Sequence, residues 1–428
     1  MSITAVVFFA IYFGLLLAAL VKRPFFGLCA YLMVFYLNPP ARWWGDSLPD
    51  FRWSFIAAVV TLLAIFIKGG RLESLRFKET WFYIVFFAFV VMQTVWAKDL
   101  SIHLEFVGMV FNFLMLIFLI QGSVRDEKDL IWFILIMLLG CSYFTYIGMT
   151  SVWGGRLDGI GGPAIASANQ MAQHVAAVLY SGVFLTLLKS RRWYEYAVVM
   201  VLLFFCVKVI MMAGSRGVYL AIVLTGIFVL LFPAQGSRRR LYVLAGLAVG
   251  SAMIFVAPTV MQRFKDLQLT QLSEADDKSA RSRIFIARGQ VEMFKDAPLL
   301  GHGHKGTLLL SPIYIAPEYL TRSGSGEQSG RASHNYFLSL LVDHGLVGAS
   351  FILLIIYRCL IPLGYLSRAR LVGRNDDIRI LLMGLIMGLL CLMLAGISSD
   401  HKNSETSIWF FALIPLFLDK LKRGENAD

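Results

Sequence analysis

His334 stands in Ser333-His334-Asn335-Tyr336, where a polar stretch gives way to an apolar run. A neutral imidazole there could take a proton from a hydroxyl, because its ordinary pKa of about 6.5 leaves it mostly deprotonated at neutral pH. A helix cap or another structural role is the alternative for a lone histidine at a helix start. Arg216, in Ala213-Gly214-Ser215-Arg216-Gly217, lies between two apolar runs. A guanidinium at such an edge either has a functional partner or snorkels to lipid headgroups. Arg281, Arg283 and Arg288 belong to one helical pattern whose apolar positions are Ile284, Ala287, Val291 and Phe294. On a helical wheel Arg281 and Arg288 share one edge of that stripe and Arg283 flanks the other. Arginine's planar fork binds phosphate oxygens in pairs and stays charged at any relevant pH. The set therefore suits an anionic headgroup, held as a ligand or as the lipid on which an interfacial helix rests.

His302-x-His304 could supply two metal ligands, but no third stands at a recognisable spacing, so neither a metal nor a cofactor is expected. Acid pairs for glycoside hydrolysis and a GxSxG nucleophile elbow are absent. Asp158 with Arg156, and Asp400-His401-Lys402, are candidate pocket-rim residues without a specific signature. Cys29, Cys141, Cys206, Cys359 and Cys391 all fall in or beside apolar runs and form no disulfide framework or CxxC pattern.

The elements that position these residues are hydrophobic. Of 428 residues 58% are hydrophobic, and the mean hydropathy is +0.70, more than one apolar core requires. Uncharged runs such as Ile3 to Val21, Trp81 to Trp96 and Leu241 to Ala257 are apolar on all sides and near the length of a membrane-spanning helix, about 17 to 25 residues. Barrel strands would instead alternate apolar and polar residues. The expected fold is an all-α polytopic membrane protein of twelve or thirteen spans, at 3–21, 25–37, 53–67, 80–97, 102–120, 130–149, 169–188, 196–212, 217–232, 241–257, 336–357, 378–397 and 407–420. The first run lacks a small-residue cleavage site and reads as an uncleaved span.

Basic clusters at Lys22-Arg23, Lys68 to Lys78, Arg125-Lys128, Lys189 to Arg192, Arg238 to Arg240, Arg368 to Arg379 and Lys422-Arg423 occupy every second connection. By the positive-inside rule these are cytoplasmic, which explains the net charge of +12 better than nucleic-acid binding does. The alternate connections then face outward, among them a large polar segment at 258–335. The organisation is thus a helical bundle over 1–257, the outward segment over 258–335 with short amphipathic helices, and C-terminal helices with a cytoplasmic tail over 336–428. Arg281 to Lys295 is expected to lie as an amphipathic helix on the membrane or across a cavity mouth, closed by Pro298 and Gly301-His302-Gly303. The Gly- and Ser-rich stretch Ser323 to Gly330 reads as a mobile loop that could gate a site beneath.

Three segments in this order resemble the O-antigen ligase and polymerase family of bacterial inner-membrane proteins, most clearly from Ser215 to Gly348. They are Ser215-Arg216-Gly217, then Arg283 through Pro298-Leu299-Leu300-Gly301-His302-Gly303, then His334-Asn335-Tyr336 through Gly345-Leu346-Val347-Gly348. The resemblance implies a metal-independent, inverting glycosyltransferase with its site facing the periplasm. Its donor would be a glycan on undecaprenyl pyrophosphate, and in the ligase branch its acceptor a sugar of lipid A-core. It also implies pyrophosphate binding by Arg216 and Arg288, with Arg283 as a further candidate, and His334 as the base. Arg281, Asn335, Tyr336 and His302 are candidate substrate contacts. The family often has a bulky aromatic where this chain has Ala287, which leaves the choice between Arg283 and Arg288 open. The Asn38-Pro39-Pro40 region also resembles the O-glycosylation ligase branch, whose acceptor is a protein. A polymerase on the same donor remains a competing reading, as does a transporter of lipid-linked oligosaccharide, though a transporter would place charges at mid-membrane.

Overall fold

The computed structural model describes residues 2–68, 73–151, 157–162, 165–188, 192–232, 272–322, 328–368 and 376–425. The expected span at 241–257, the basic cluster at Arg238 to Arg240, Arg156 and positions 323–327 lie outside these residues, as does the side chain of Arg281. The described chain folds as helices α1 Ile3–Val21, α2 Phe25–Leu37, α3 Trp53–Ile67, α4 Lys78–Gln93, α5 Leu100–Ser123, α6 Glu127–Ser151, α7 Ala168–Leu185, α8 Trp193–Ala213, α9 Arg216–Leu231, α10 Leu272–Asp296, α11 Gly306–Tyr314, α12 Tyr336–Leu360, α13 Pro362–Arg368, α14 Asp376–Gly396 and α15 Thr406–Glu425.

Each expected span within the described residues coincides with a helix, but not each with a long apolar one. Among the described residues six helices are long and apolar enough to cross a membrane, namely α1, α5, α6, α8, α12 continued through α13, and α14. Three shorter apolar helices, which include α2, α3 and α9, accompany them. Six of the expected twelve or thirteen crossings thus meet that length and composition, the expected span at 241–257 lying outside the described residues. α7 is the clearest departure, because its polar Gln173 and His174 are buried rather than facing lipid. One short departure from helix occurs where Thr321–Arg322 (β1) pairs antiparallel with Gln328–Ser329 (β2), tying together the two ends of the expected mobile loop.

The core is centred on α7 and α14, whose small residues let their backbones approach. A Cβ at Gly388 would lie 2.6 Å from the Ala177 carbonyl oxygen, and one at Gly384 2.7 Å from Phe184 Cβ. Such approach is how helices associate where lipid supplies no hydrophobic drive. Around this pair α2, α5, α6, α8 and α15 bury Tyr36, Phe113, Phe133, Phe144, Cys206 and Trp409. A smaller cluster joins α1, α2 and α3, where the Tyr12 hydroxyl donates to the Trp53 carbonyl at 2.6 Å.

Alternate connections gather at opposite ends of the bundle. At one end Arg23 pairs with Asp129 at 2.6 Å, Lys68 donates to the Val21 carbonyl at 2.7 Å, and Lys420 reaches the Arg125 carbonyl. These involve three of the basic clusters and the end of α15 that precedes a fourth. At the other end Lys98 N–H donates to the His302 carbonyl at 2.9 Å and Asn335 Nδ2 to the Ile397 carbonyl at 3.1 Å. That second end carries the candidate chemistry.

Candidate functional site

The scaffold of the site is a break in α12. Gly345 adopts φ 61°, ψ −170°, outside the helical region, and this frees backbone groups on both sides of it. The Pro298–Gly303 segment takes them up. His302 and Gly303 N–H donate to the Val342 and Asp343 carbonyls at 3.0 and 2.8 Å, and Leu346 and Val347 N–H donate to the Pro298 and Leu299 carbonyls at 2.8 and 3.0 Å. Irregular backbone at membrane depth is tolerated where protein satisfies it in this way. A Cβ at Gly345 would sit 2.3 Å from the Leu299 carbonyl oxygen, and one at Gly301 (φ 67°) 2.5 Å from that of Asp343. Two of the sequence segments singled out above are thus halves of one structural device. Buried Gln93 completes it, donating to the Leu300 and Asp343 carbonyls at 2.7 and 2.8 Å and pairing with His344 Nδ1 at 2.8 Å.

The break presents Asp343, which is fully buried. Its carboxylate accepts from Lys305 N–H at 3.1 Å and forms an ion pair with Lys402, whose ammonium also donates to Ser339 Oγ at 2.5 Å and lies 3.5 Å from Asp400. Burial works to lower the Lys402 pKa, but the Asp343 and Asp400 carboxylates more than offset it and hold the ammonium charged. Beside this pair Phe106 is stacked between His304 and His344, with ring centroids 4.1 and 5.2 Å away. Burial, then the charge of Lys402, holds His304 far below the usual imidazole range and so neutral. A cavity of about 30 Å³, bounded by Tyr83, Phe86, Phe106, Tyr336, His344 and Lys402 among others, opens next to it and has room for a water molecule.

His334 sits at the rim of this scaffold, half-buried, on the connection that precedes α12. Gln290 of α10 ties that connection down by donating to Ser333 Oγ at 2.9 Å. Burial lowers the His334 pKa, the guanidiniums of Arg331 and Arg283 lower it further, and Asp400 raises it. These three charges therefore lie within electrostatic reach of the imidazole, which is neutral at neutral pH. Asn335 caps α12 through the Leu338 N–H at 3.0 Å, and Tyr336 stacks on His401 with centroids 4.3 Å apart. The His401 imidazole is pushed down to about 4, chiefly by burial.

Arg216 opens α9, exposed, after a left-handed Gly214 ends α8. The same turn packs on the connection that carries Asp400, since a Cβ at Gly217 would lie 1.8 Å from Ser398 Oγ. Ser398 adjoins Ile397, the residue that Asn335 engages. The structure thus brings the Arg216 turn, Arg283, His334 and Asp400 to one end of the bundle.

The arginine helix packs chiefly by a face other than its apolar stripe. The face of α10 that packs inward is Ile286, Gly289, Gln290 and Met293, whereas Ile284 and Val291 are exposed. Of the expected stripe Ile284 and Val291 thus turn outward while Ala287 and Phe294 are half-buried, and a second apolar face, less evident because Gly289 and Gln290 interrupt it, makes most of the packing. Arg283 borders this inward face beside Gln290. Arg288 is five residues on, about 140° around the helix, and its guanidinium lies over the Phe285 ring at 5.8 Å. His302 is buried with Nε2 2.7 Å from the Met293 carbonyl oxygen, so it holds the end of α10 and points away from His304. Asp158 accepts from Ala168 N–H at 2.7 Å and anchors the start of α7. Among the described residues no three His, Cys, Asp or Glu side chains form a metal-binding group.

Sequence reading does not single out Asp343, Gln93 or Arg331. Asp343-His344 inside the apolar run 336–357 was the available signal, because an ionisable pair there needs a partner. Arg331 stands three residues before His334 in a polar stretch, with nothing to mark it.

Residues 201–353 match the family model described as O-Antigen ligase. The match spans Arg216, Arg283, Arg288, His334 and both halves of the α12 break, and ends before Asp400 and Lys402. It agrees with the resemblance carried by the three sequence segments and does not distinguish the lipid A-core branch. No curated protein matches the chain.

Proposed function

We propose that this multi-pass membrane protein is an O-antigen ligase of the bacterial inner membrane. In this reading it transfers a glycan from undecaprenyl pyrophosphate to a sugar hydroxyl of lipid A-core at the periplasmic face. The observation that carries the reading is the half-buried His334 on the connection whose Asn335 and Tyr336 engage Ile397 and His401 on either side of Asp400, at the end of the bundle where the Arg216 turn meets Ser398.

In the reaction His334 removes the proton of the acceptor hydroxyl as its oxygen attacks C1 of the donor sugar. The C1–oxygen bond to pyrophosphate breaks on the opposite face, and its electron pair stays on the leaving oxygen. One displacement inverts the anomeric centre. Arginines offset the negative charge that grows on the pyrophosphate, so that fixed guanidiniums serve where a divalent ion otherwise would. Arg283 acts on His334 from α10, and Arg216 opens α9 at the turn that packs on Ser398. Arg288, exposed on the far side of α10, meets the donor from the lipid side.

The test is glycan transfer by the purified protein from undecaprenyl-pyrophosphate donor to lipid A-core with EDTA present. The unmodified chain is expected to transfer and His334→Ala to lose transfer. Chain growth on the donor without transfer to lipid A-core would make the protein a polymerase, and transfer only to a protein acceptor would make it an O-glycosylation ligase. Absence of any donor turnover would overturn the enzyme reading.

A further inference from the structure

Lys402 is joined to both sides of the site. Its side chain is only 11% exposed, and its ammonium is held by Asp343 and by Ser339 Oγ, both on the first turns of α12. Its backbone N–H donates to Asp400 Oδ1 at 3.0 Å, and its ammonium lies 3.5 Å from the other oxygen of that carboxylate. Asp343 in turn is fixed by Lys305 N–H and by the Pro298–Gly303 segment bound across the α12 break. The connection between α14 and α15 is further seated by Tyr336 on His401 and by Gln173 Nε2, which donates to the Ala395 and Ser399 carbonyls at 3.0 and 3.1 Å. Of these ties only the Lys402 ammonium reaches both the α12 break and the Asp400 carboxylate.

We infer that Lys402 is a positioning residue for the transfer site: clamped by Asp343 and Ser339 at the break in α12, it holds Asp400 in the place from which Asp400 faces His334. The inference rests on the ligase reading. His334 is faced by Arg331 on its own connection, by Arg283 at the border of the inward face of α10, and by the α14–α15 connection, whose Ile397 and His401 engage Asn335 and Tyr336 next to it and bring Asp400 there. Asp400 is the one anion among these charges, and Lys402 is the cation beside its carboxylate. Gln170 on the Asp400 carbonyl, Gln173 and Tyr336 still hold the connection when Lys402 is released, so release frees the carboxylate to turn away and leaves the two guanidiniums unopposed.

Removing Lys402 alone would leave Asp343 buried without a partner, a change that endangers folding. The variant to make is the pair Asp343→Asn with Lys402→Gln, which removes both charges and keeps polar groups. Transfer and the acid limb of its kcat/KM profile are measured for this pair, for Asp400→Asn, and for the two combined. All are first compared with the unmodified chain by size-exclusion profile in detergent. The pair is expected to fold, to lose transfer by about a hundredfold, the order that a misplacement of about 1 Å costs, and to move its acid limb to lower pH as Asp400→Asn does. In the Asp400→Asn background the pair is expected to add no further shift, because both changes remove the same anion. An unmoved limb, a limb moved to higher pH, or a shift that adds to that of Asp400→Asn would overturn the inference. Absence of transfer by the unmodified chain would instead overturn the ligase reading, and full transfer by His334→Ala the role of His334 as base, whereas loss in His334→Ala with an unaffected pair would sink the positioning role alone.

Discussion

Two groups of histidines lie close together in this molecule, and their surroundings assign them different work. His304 and His344 are sealed against Phe106 beside the Asp343–Lys402 ion pair, where burial keeps an imidazole neutral. His334 is only half-buried, at the rim of the same scaffold, with two guanidiniums and one carboxylate acting on it from α10 and two connections. An imidazole with no path to a substrate proton can stack and accept hydrogen bonds but cannot be a base. One at a rim, kept neutral by nearby cations, can. What separates the groups is access and charge rather than residue type.

The comparison is broken most severely at His334. His334→Ala is expected to reduce transfer by between about 10²- and 10⁴-fold, the usual contribution of a positioned general base, with the variant still extracted as a single species. In the sealed region the largest expected effect is on stability. Gly345→Ala places a side chain at φ 61° and 2.3 Å from the Leu299 carbonyl oxygen. It should lower the melting temperature in detergent by the equivalent of at least about 1–3 kcal/mol of backbone strain.

Next in size are shifts of the acid limb. Activity requires the neutral imidazole, so it is lost as pH falls through the His334 pKa, which burial first and then Arg331 and Arg283 hold below the ordinary 6.5. Arg283→Gln should raise that pKa and move the limb to higher pH, and Asp400→Asn should lower it and move the limb to lower pH. Opposite signs in a kcat/KM profile would contradict the assignment of these charges to His334. The smallest change is expected from His304→Phe, which keeps a ring against Phe106. Transfer and its pH limb should both persist, and loss of the limb would merge the two groups into one functional unit.

The helices were legible because apolar runs such as Ile3 to Val21 and Leu100 to Ser123 leave no other way to satisfy the backbone in lipid. So were Arg216 and His334, each an ionisable group at the edge of an apolar run. The lipid-facing stripe of α10 was legible as a pattern but not as an orientation. Ile284 and Val291 repeat at helical spacing as regularly as Ile286 and Met293, and only packing against α11 and α12 decides which pair turns inward. The charges around His334 were hidden for another reason. Arg331, Arg283 and Asp400 come from three separate elements, a helix and two connections, and no local spacing encodes their meeting. The glycines of Gly301-His302-Gly303 and Gly345 could be noticed one at a time, but their joint role depends on two backbones that lie some forty residues apart.

That docked pair also bears on how the chain is made. Without Pro298–Gly303 the break in α12 would leave two carbonyls and two amides without the partners they have in the fold, each a cost of several kcal/mol wherever water cannot reach it. Pro298–Gly303 precedes α12 in the sequence, so it has already been synthesised when the broken helix emerges and can cover those groups as they appear. The order of the two segments along the chain thus gives α12 a ready-made template during biogenesis. Reversing that order would present the membrane with an unfinished helix.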